Sequence, residues 1–225
     1  MRLVRRFAAL SLAVALGTTV TTATPSQATG HGAGGPRHSH VAPARHADGM
    51  TGRQLLTQAF RSFYERPSTT PQPDCIYLGR SGKVLLAGRV YTTCTVKHGY
   101  PVMYFFGTSC DTVSPPPWYA VSARAQLRCA REQNTALIKA MFLRVDGGPT
   151  VKFTRPRFDI HTRQQHVVIP VDNGQGYAPG PATFTADVWA AFATHLSLGL
   201  HTVYMRTDFT DGTFDDGTRT IRVVR

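Results

Sequence analysis

The stretch Asp159-Ile160-His161 joins two residue types that are common in acid–base catalysis. Alternate side chains of a strand point to the same face, so the carboxylate of Asp159 and the imidazole of His161 would lie side by side. Such a pair could remove a proton from water or from a hydroxyl group. The pattern therefore predicts, as one alternative, a hydrolase that uses an Asp–His pair.

A basic and aromatic stretch, KFTRPRFDIHTR at 152–163, surrounds this pair. Its cations are Lys152, Arg155, Arg157 and Arg163, and Phe153 and Phe158 stand between them. Interleaved cations and rings bind anionic polymers or sugars, although a sandwich strand with phenylalanine inside and arginine outside gives the same alternation. We interpret the four cations as a candidate binding surface for an anionic cell-wall polymer or a polysaccharide.

The stretch DGTFDDG at 211–217 resembles a calcium loop only in part. Asp211, Thr213 and Asp215 could supply oxygens, but the glycine falls at the seventh position and not the sixth, and the twelfth position has no acidic residue. The stretch instead predicts a hairpin turn at Asp215-Asp216-Gly217. No zinc-protease, nucleophile-elbow or phosphate-loop motif occurs in the sequence, and we expect no metal and no cofactor.

Four cysteines, Cys75, Cys94, Cys110 and Cys129, are separated by gaps of 19, 16 and 19 residues. This spacing lacks the close ligand pairs of a zinc site, and an even count predicts two disulfides. Three connectivities are possible. We favour Cys75–Cys94 and Cys110–Cys129, because each pair brackets one supersecondary unit, and each bond should contribute about 3 kcal/mol.

The first 28 residues have the pattern of a secretory signal peptide. Arg2, Arg5 and Arg6 precede a short apolar run, and Ser26-Gln27-Ala28 offers a cleavage site. We expect a secreted protein, exported by either the general or the twin-arginine route, with no transmembrane segment in the mature chain. Loss of three arginines lowers the formal charge from +12 to +9, which still favours anionic partners; nucleic acid is not the partner that we expect.

Residues 29–49 predict a disordered leader, since they are rich in Gly, Pro, Ala and His and lack periodic apolar residues. Residues 50–225 predict a single domain that begins with a helix at about 51–65. A second helix is expected at 118–134, and 186–196 is expected to be a strand. The fold class is mainly β: an antiparallel β-sandwich with one or two packed helices and two disulfides.

The order of several short motifs is similar to that in a group of uncharacterised bacterial secreted β-rich proteins. The motifs are Thr-Cys-Thr-Val (93–96), Met-Tyr-Phe-Phe (103–106), Leu-Arg-Cys-Ala (127–130), Val-Asp-Gly (145–147) and Leu-x-Leu-Gly-x-His-Thr-Val-Tyr (196–204). The chain departs from the pattern at Lys97-His98-Gly99, where the group usually has Pro-Ala-Gly. The resemblance implies a shared fold and supports the disulfide pairing. It implies no activity.

These observations favour a secreted, non-catalytic binding or cell-surface module for an anionic or sugar polymer. The hydrolase is one alternative. A protein-binding inhibitor is the other, with NGQGYAPGP or DTVSPPPW as its reactive loop.

Overall fold

A computed structural model of the chain describes residues 40–70, 73–87 and 93–225. The predicted signal peptide and residues 29–39 of the predicted leader lie outside this part of the chain. In chain order the strands are β1 (His40–Pro43), β2 (His46–Ala47), β3 (Met50–Thr51), β4 (Cys75–Leu78), β5 (Val84–Ala87), β6 (Thr93–Lys97), β7 (Val102–Asp111), β8 (Ile138–Val145), β9 (Val151–Lys152), β10 (Asp159–His161), β11 (Gln165–Ile169), β12 (Gly180–Thr194), β13 (Gly199–Phe209) and β14 (Phe214–Val224). The helices are α1 (Gly52–Tyr64) and α2 (Ala123–Leu137). No helix of the described residues is long and apolar enough to cross a membrane.

Two sheets form the predicted sandwich, which is confirmed together with its two helices. Sheet 1 has the order β1-β12-β7-β5-β4, and β10 and β11 also pair with β12. Sheet 2 has the order β6-β14-β13-β8-β9. Most pairs are antiparallel, and the pairs β5–β7 and β6–β14 are parallel. Strands β2 and β3 form a separate short hairpin.

Strand β12 is the long central strand of sheet 1 and confirms the strand predicted at 186–196. Its partner on one side is β7, which pairs with residues 184–193. Its partners on the other side are β11, β10 and β1, which follow one another along the strand. One edge of sheet 1 is therefore divided among three short strands.

Helix α1 confirms the helix predicted at about 51–65. Its apolar stripe, Leu55, Leu56, Ala59 and Phe60, is buried against one face of sheet 1. The even-numbered residues of β12 face this helix and complete the cluster, from Ala182 and Phe184 to Ala190 and Phe192.

A second core lies between the two sheets. Its buried members include Leu85, Val102 and Tyr104 from sheet 1 and Met141, Leu143, Val203 and Ile221 from sheet 2. Ala191 and Ala193 of β12 belong to it, because odd-numbered residues of that strand point away from α1.

Helix α2 begins later than predicted, at Ala123, and ends at Leu137. The chain before it pairs with the end of β7 instead, since Asp111 N–H donates to Trp118 O at 3.1 Å and Ala120 N–H donates to Asp111 O at 2.9 Å. Ser122 then caps the helix, with its hydroxyl oxygen accepting from the Ala125 N–H at 3.3 Å. The helix packs on the same face of sheet 1 as sheet 2 does, beside β7 and β12.

Both disulfides have the predicted connectivity. Cys75–Cys94 joins β4 of sheet 1 to β6 of sheet 2, so it ties the two layers together. Cys110–Cys129 joins β7 to α2.

The predicted disordered leader is wrong over residues 40–49. His40–Pro43 pairs with Thr194–Ala191 as strand β1, and Ala44 is fully buried. The carboxylate of Asp48 accepts from the Ser81 N–H at 2.7 Å and from the Lys83 N–H at 3.2 Å. Composition missed this segment, because its order comes from partners that lie far away in sequence.

The predicted hairpin turn at Asp215-Asp216-Gly217 is also wrong, because these residues lie inside β14. The turn falls earlier, where Phe209 N–H donates to Thr213 O at 2.9 Å. The carboxylate of Asp211 accepts from the Thr213 N–H and hydroxyl, at 2.9 and 2.6 Å, and so closes the loop. The interior position fits the register in which Asp216 lies opposite Arg206.

Candidate functional site

A cleft of about 960 Å³ opens beside the first turn of α1, against the edge strand β10. Its walls come from two segments that are far apart in sequence, within 43–58 and 156–165. Four arginines line it: Arg45, Arg53, Arg157 and Arg163. Asp159 and His161 of β10 line it as well.

The helix side of the cleft is fixed by a capping box. Thr51 Oγ1 accepts from the Gln54 N–H at 3.3 Å, and Gln54 Oε1 accepts from the Thr51 N–H at 2.8 Å. Gly52 N–H donates to Arg45 O at 2.6 Å. A Cβ at Gly52 would overlap the backbone before the helix and crowd the Ile160 side chain. Only glycine lets the helix start this close to both walls.

The opposite wall rests on two buried rings. Phe153 and Phe158 are fully buried and meet edge to face, with 6.2 Å between ring centroids. The Arg157 guanidinium lies 4.9 Å from the centroid of the Phe158 ring and is exposed. The buried rings therefore hold the backbone, while Arg157 is presented to the cleft.

The cleft has a strongly positive lining. Among the described residues, none of its four arginines forms an ion pair with an acidic side chain, and Asp159 is the one acidic residue in the wall. Arg53 is the second residue of α1, so its charge adds to the positive end of the helix dipole. Guanidinium groups stay charged at every physiological pH and bind phosphate or carboxylate through paired N–H donors. The lining is therefore suited to an anionic ligand.

His161 and Asp187 bring titratable groups to the edge of the cleft. They lie directly opposite each other in the pairing of β10 with β12. Burial lowers the pKa of His161, and the charges of Arg53 and Arg131 lower it further, against the opposing effect of Asp159. The imidazole is therefore biased toward its neutral form.

Asp187 is almost fully buried under α2. Its carboxylate accepts from Arg131 Nε at 3.3 Å and from Asn134 Nδ2 at 3.1 Å. Burial, followed by the charge of Asp159, raises the pKa of Asp187 to about 6 even though both hydrogen-bond partners lower it. Gly107 faces Val188 in β7, and a Cβ there would overlap the Asp187 backbone, so this position needs glycine.

The structure separates the four predicted binding residues. Arg157 and Arg163 line the cleft. Lys152 is exposed in β9 of sheet 2, and Arg155 is exposed just before the turn at Pro156–Phe158; neither lines the cleft.

Sequence reasoning missed Arg45 and Arg53. Arg45 lay in the supposed leader, and Arg53 lay on the polar face of a helix that was assigned a structural role. The available signal was an arginine in the first turn of a helix that lacks acidic residues there, which is the end where a cation is least favourable.

A second polar group has the composition of a serine-hydrolase triad but not its geometry. His201 Nδ1 lies 2.6 Å from Asp146 Oδ2, and Ser197 Oγ lies 3.5 Å from His201 Nε2. However, Nε2 is only 2.8 Å from the carbonyl oxygen of Ser197, to which it must donate. It therefore has no lone pair free to accept the serine proton. The group ties the turn after β8 to the start of β13.

The two loops proposed for an inhibitor are both held by internal hydrogen bonds. The buried Asp111 carboxylate accepts from the Val113 and Ser114 N–H groups, at 2.8 and 2.6 Å, at the start of one loop. In the other, the Asn173 side chain donates to Tyr177 O at 2.8 Å and accepts from Tyr177 N–H at 2.9 Å. Both segments are ordered, although neither adjoins the arginine cleft.

No group of three metal-ligating side chains that could hold a metal ion occurs among the described residues. No protein-family model, no curated protein and no solved structure matches this chain.

Proposed function

We propose that the protein is a secreted, non-catalytic module that binds an anionic polymer in the arginine cleft. The observation that carries this proposal is the convergence of four arginines without acidic partners on one cleft of about 960 Å³. Structural arginines normally have carboxylate partners when they are brought together, since like charges repel. An anion in the cleft would relieve that repulsion.

Export agrees with the chain's covalent chemistry. Two disulfides brace the fold, and such bonds persist in oxidising compartments rather than in the cytosol. The signal peptide at 1–28 directs export in this proposal. A basic protein outside a bacterial cell meets phosphate- and carboxylate-bearing wall polymers, which match the charge of the cleft.

Binding of wall teichoic acid and of polygalacturonate to the purified mature protein, measured over a range of salt concentrations, tests the proposal. The matched variants are Arg157→Gln/Arg163→Gln, inside the cleft, and Lys152→Gln/Arg155→Gln, outside it. Both remove two positive charges from the same stretch of sequence. We expect the cleft variant to lose at least about tenfold in affinity at low salt, and its log–log salt slope to fall by about 2.

The control variant should stay close to the wild-type protein in both measurements. Equal losses in the two variants would show that only the overall charge matters, and the cleft would then have no role. Absence of binding to either polymer at low salt would overturn the proposal as a whole.

A hydrolase remains the second candidate, because Asp159 and His161 both line the cleft and the neutral imidazole favoured there could accept a proton. This candidate requires release of products from a bound polymer, and loss of that release in His161→Gln with polymer affinity unchanged. Stable polymer over long incubation with the wild-type protein would exclude it.

A further inference from the structure

The exposed face of α2 carries a second row of arginines. Arg124, Arg128 and Arg131 are spaced at i, i+4 and i+7, which places them on one side of the helix. They line a shallow groove of about 590 Å³ together with Leu127, Glu132, Thr135 and Ala136. We call these three arginines the α2 stripe.

The α2 stripe reaches the arginine cleft through two contacts. Arg131 Nε lies 3.3 Å from Asp187 Oδ1. Asp187 lies directly opposite His161 in the pairing of β12 with β10. His161 in turn lines the cleft together with Arg53. Only the width of one strand pair therefore separates the two basic surfaces.

Electrostatics supports the same placement. After burial, the two largest influences that lower the pKa of His161 are the charges of Arg53 and Arg131, one from each surface. Guanidinium groups of both surfaces are therefore close enough to the imidazole to influence its charge.

Two of the three arginines of the α2 stripe have no ion-pair partner within the described part of the chain, whereas Arg131 pairs with Asp187. Arg124 and Arg128 form no ion pair there, and Glu132 is the one acidic residue in the groove. Cations at i and i+4 repel each other. Arg124 is also the second residue of α2, as Arg53 is of α1, where the helix dipole disfavours a cation. Bound anions would reverse both effects.

We propose that one elongated polymer with repeating phosphate groups occupies both the cleft and the groove of α2, and crosses strand β10 at His161. The cleft half of this inference rests on the proposed function. Phosphate matches the guanidinium fork through two parallel N–H···O bonds. A chain that engages both surfaces gains affinity because its second contact is intramolecular.

Two probes test the cleft and the groove of α2 separately. Tripolyphosphate fits the cleft alone, and long-chain polyphosphate reaches both surfaces. The test variant is Arg124→Gln/Arg128→Gln, in which glutamine keeps a good helix former at each position. The control is Lys97→Gln/Arg222→Gln, which removes the same charge from exposed positions of sheet 2. Calorimetry at low salt gives each affinity.

We expect the wild-type protein to bind long-chain polyphosphate at least about a hundredfold more tightly than tripolyphosphate, per molecule. The Arg124→Gln/Arg128→Gln variant should lose at least about tenfold for the long chain and keep its affinity for tripolyphosphate. The control should keep both affinities within about twofold.

The outcomes distinguish the two proposals. If neither probe binds the wild-type protein, binding of one phosphate polymer along both surfaces is wrong, whereas the proposed function fails only if teichoic acid and polygalacturonate also do not bind. If tripolyphosphate binds but the Arg124→Gln/Arg128→Gln variant behaves like the control with the long chain, anion binding in the cleft is supported and extension of the polymer along α2 is wrong. Tighter binding of polygalacturonate than of polyphosphate of similar length would overturn the assignment to phosphate.

Discussion

Two helices pack on opposite faces of the same strand, and they are held there by different means. Helix α1 covers the even-numbered residues of β12 with an apolar stripe. Helix α2 covers the odd-numbered residues Thr183, Thr185 and Asp187 with buried amide side chains. A single strand thus forms an apolar interface with α1 on one face and a hydrogen-bonded interface with α2 on the other. We call the first interface the apolar seat and the second the polar seat.

The polar seat depends on two residues of α2. The Gln126 amide nitrogen donates to Ala120 O at 3.0 Å and to Thr183 O at 3.1 Å, and its oxygen accepts from the Thr185 hydroxyl at 3.1 Å. Asn134 donates to the Asp187 backbone oxygen at 2.8 Å. The Cys110–Cys129 bond adds a covalent tie. A helix fixed in this way needs few apolar residues, so its outer face is free to carry arginines.

The largest expected effect breaks the apolar seat. Leu56 of α1 is fully buried, and Leu56→Ala should lower the free energy of unfolding by about 2–5 kcal/mol because it leaves a cavity. Urea denaturation followed by circular dichroism measures the change. The same deletion at Leu198, which is half exposed, is the control and should cost less than about 1 kcal/mol. Equal losses at the two sites would contradict the account of α1.

The next effect removes the covalent tie of the polar seat. Cys110→Ser/Cys129→Ser should lower the free energy of unfolding by about 3 kcal/mol. Cys75→Ser/Cys94→Ser is a matched control, because both bonds span 19 residues and so constrain the unfolded chain equally. Hydrogen exchange should quicken in α2 only in the first variant. Unchanged exchange in α2 would mean that the hydrogen bonds alone hold it.

A smaller effect removes hydrogen bonds from the polar seat without changing its volume much. Gln126→Met should lower the free energy of unfolding by about 1–3 kcal/mol, because it leaves buried oxygen atoms on Thr183 and Thr185 without this partner. Gln133→Met on the same helix is the control, since the side chain of Gln133 forms no hydrogen bond among the described residues. A stable Gln126→Met protein would show that α2 is held by the disulfide and by apolar contacts.

The smallest effect depends on pH and is a stabilisation, whereas the three changes above lower the free energy of unfolding. The pKa of Asp187 is raised to about 6 in the folded protein, above its ordinary value of 3.8. The folded state therefore holds this proton more tightly, and the contribution of Asp187 to stability falls as the pH rises from about 4 to about 6. At pH 7, Asp187→Asn should raise the free energy of unfolding by about 1–2 kcal/mol, after allowing for the lost Arg131 pair.

The difference between Asp187→Asn and the wild-type protein should become small below about pH 3, where the carboxyl group is mostly neutral in both the folded and the unfolded state. Asp159→Asn provides an independent comparison, because removal of its charge should lower the pKa of Asp187 and give a smaller gain in the same direction. A loss of stability in Asp187→Asn at pH 7 would show that the ion pair with Arg131 outweighs the burial of the carboxylate.

Local patterns were enough to predict much of the fold. The 3.6-residue stripe of α1 and the branched and aromatic residues of the strands are signals carried by neighbouring residues. The cysteine spacing gave the correct pairing for the same reason, because each bond closes a local loop. Helix α2 was predicted with a shifted start, since its polar seat leaves only a weak apolar stripe.

Only two of the four arginines that line the cleft could be predicted from the sequence. Arg157 and Arg163 stand in a basic and aromatic stretch that is visible in sequence, whereas Arg45 and Arg53 reach the cleft through contacts of β1 and α1 with distant strands. Asp187 was unrecognised for the same reason, since its burial and its raised pKa come from α2 and β10. Such features depend on tertiary pairing, which a single sequence does not show.

The lengths of the edge strands have a consequence for solubility. Beside β12, the edge of sheet 1 consists of three strands of four, three and five residues: β1, β10 and β11. A short, interrupted edge offers too few free N–H and C=O groups to template another chain. This edge of sheet 1 is therefore protected against edge-to-edge aggregation, which matters for a protein that would work at high local concentration along a polymer.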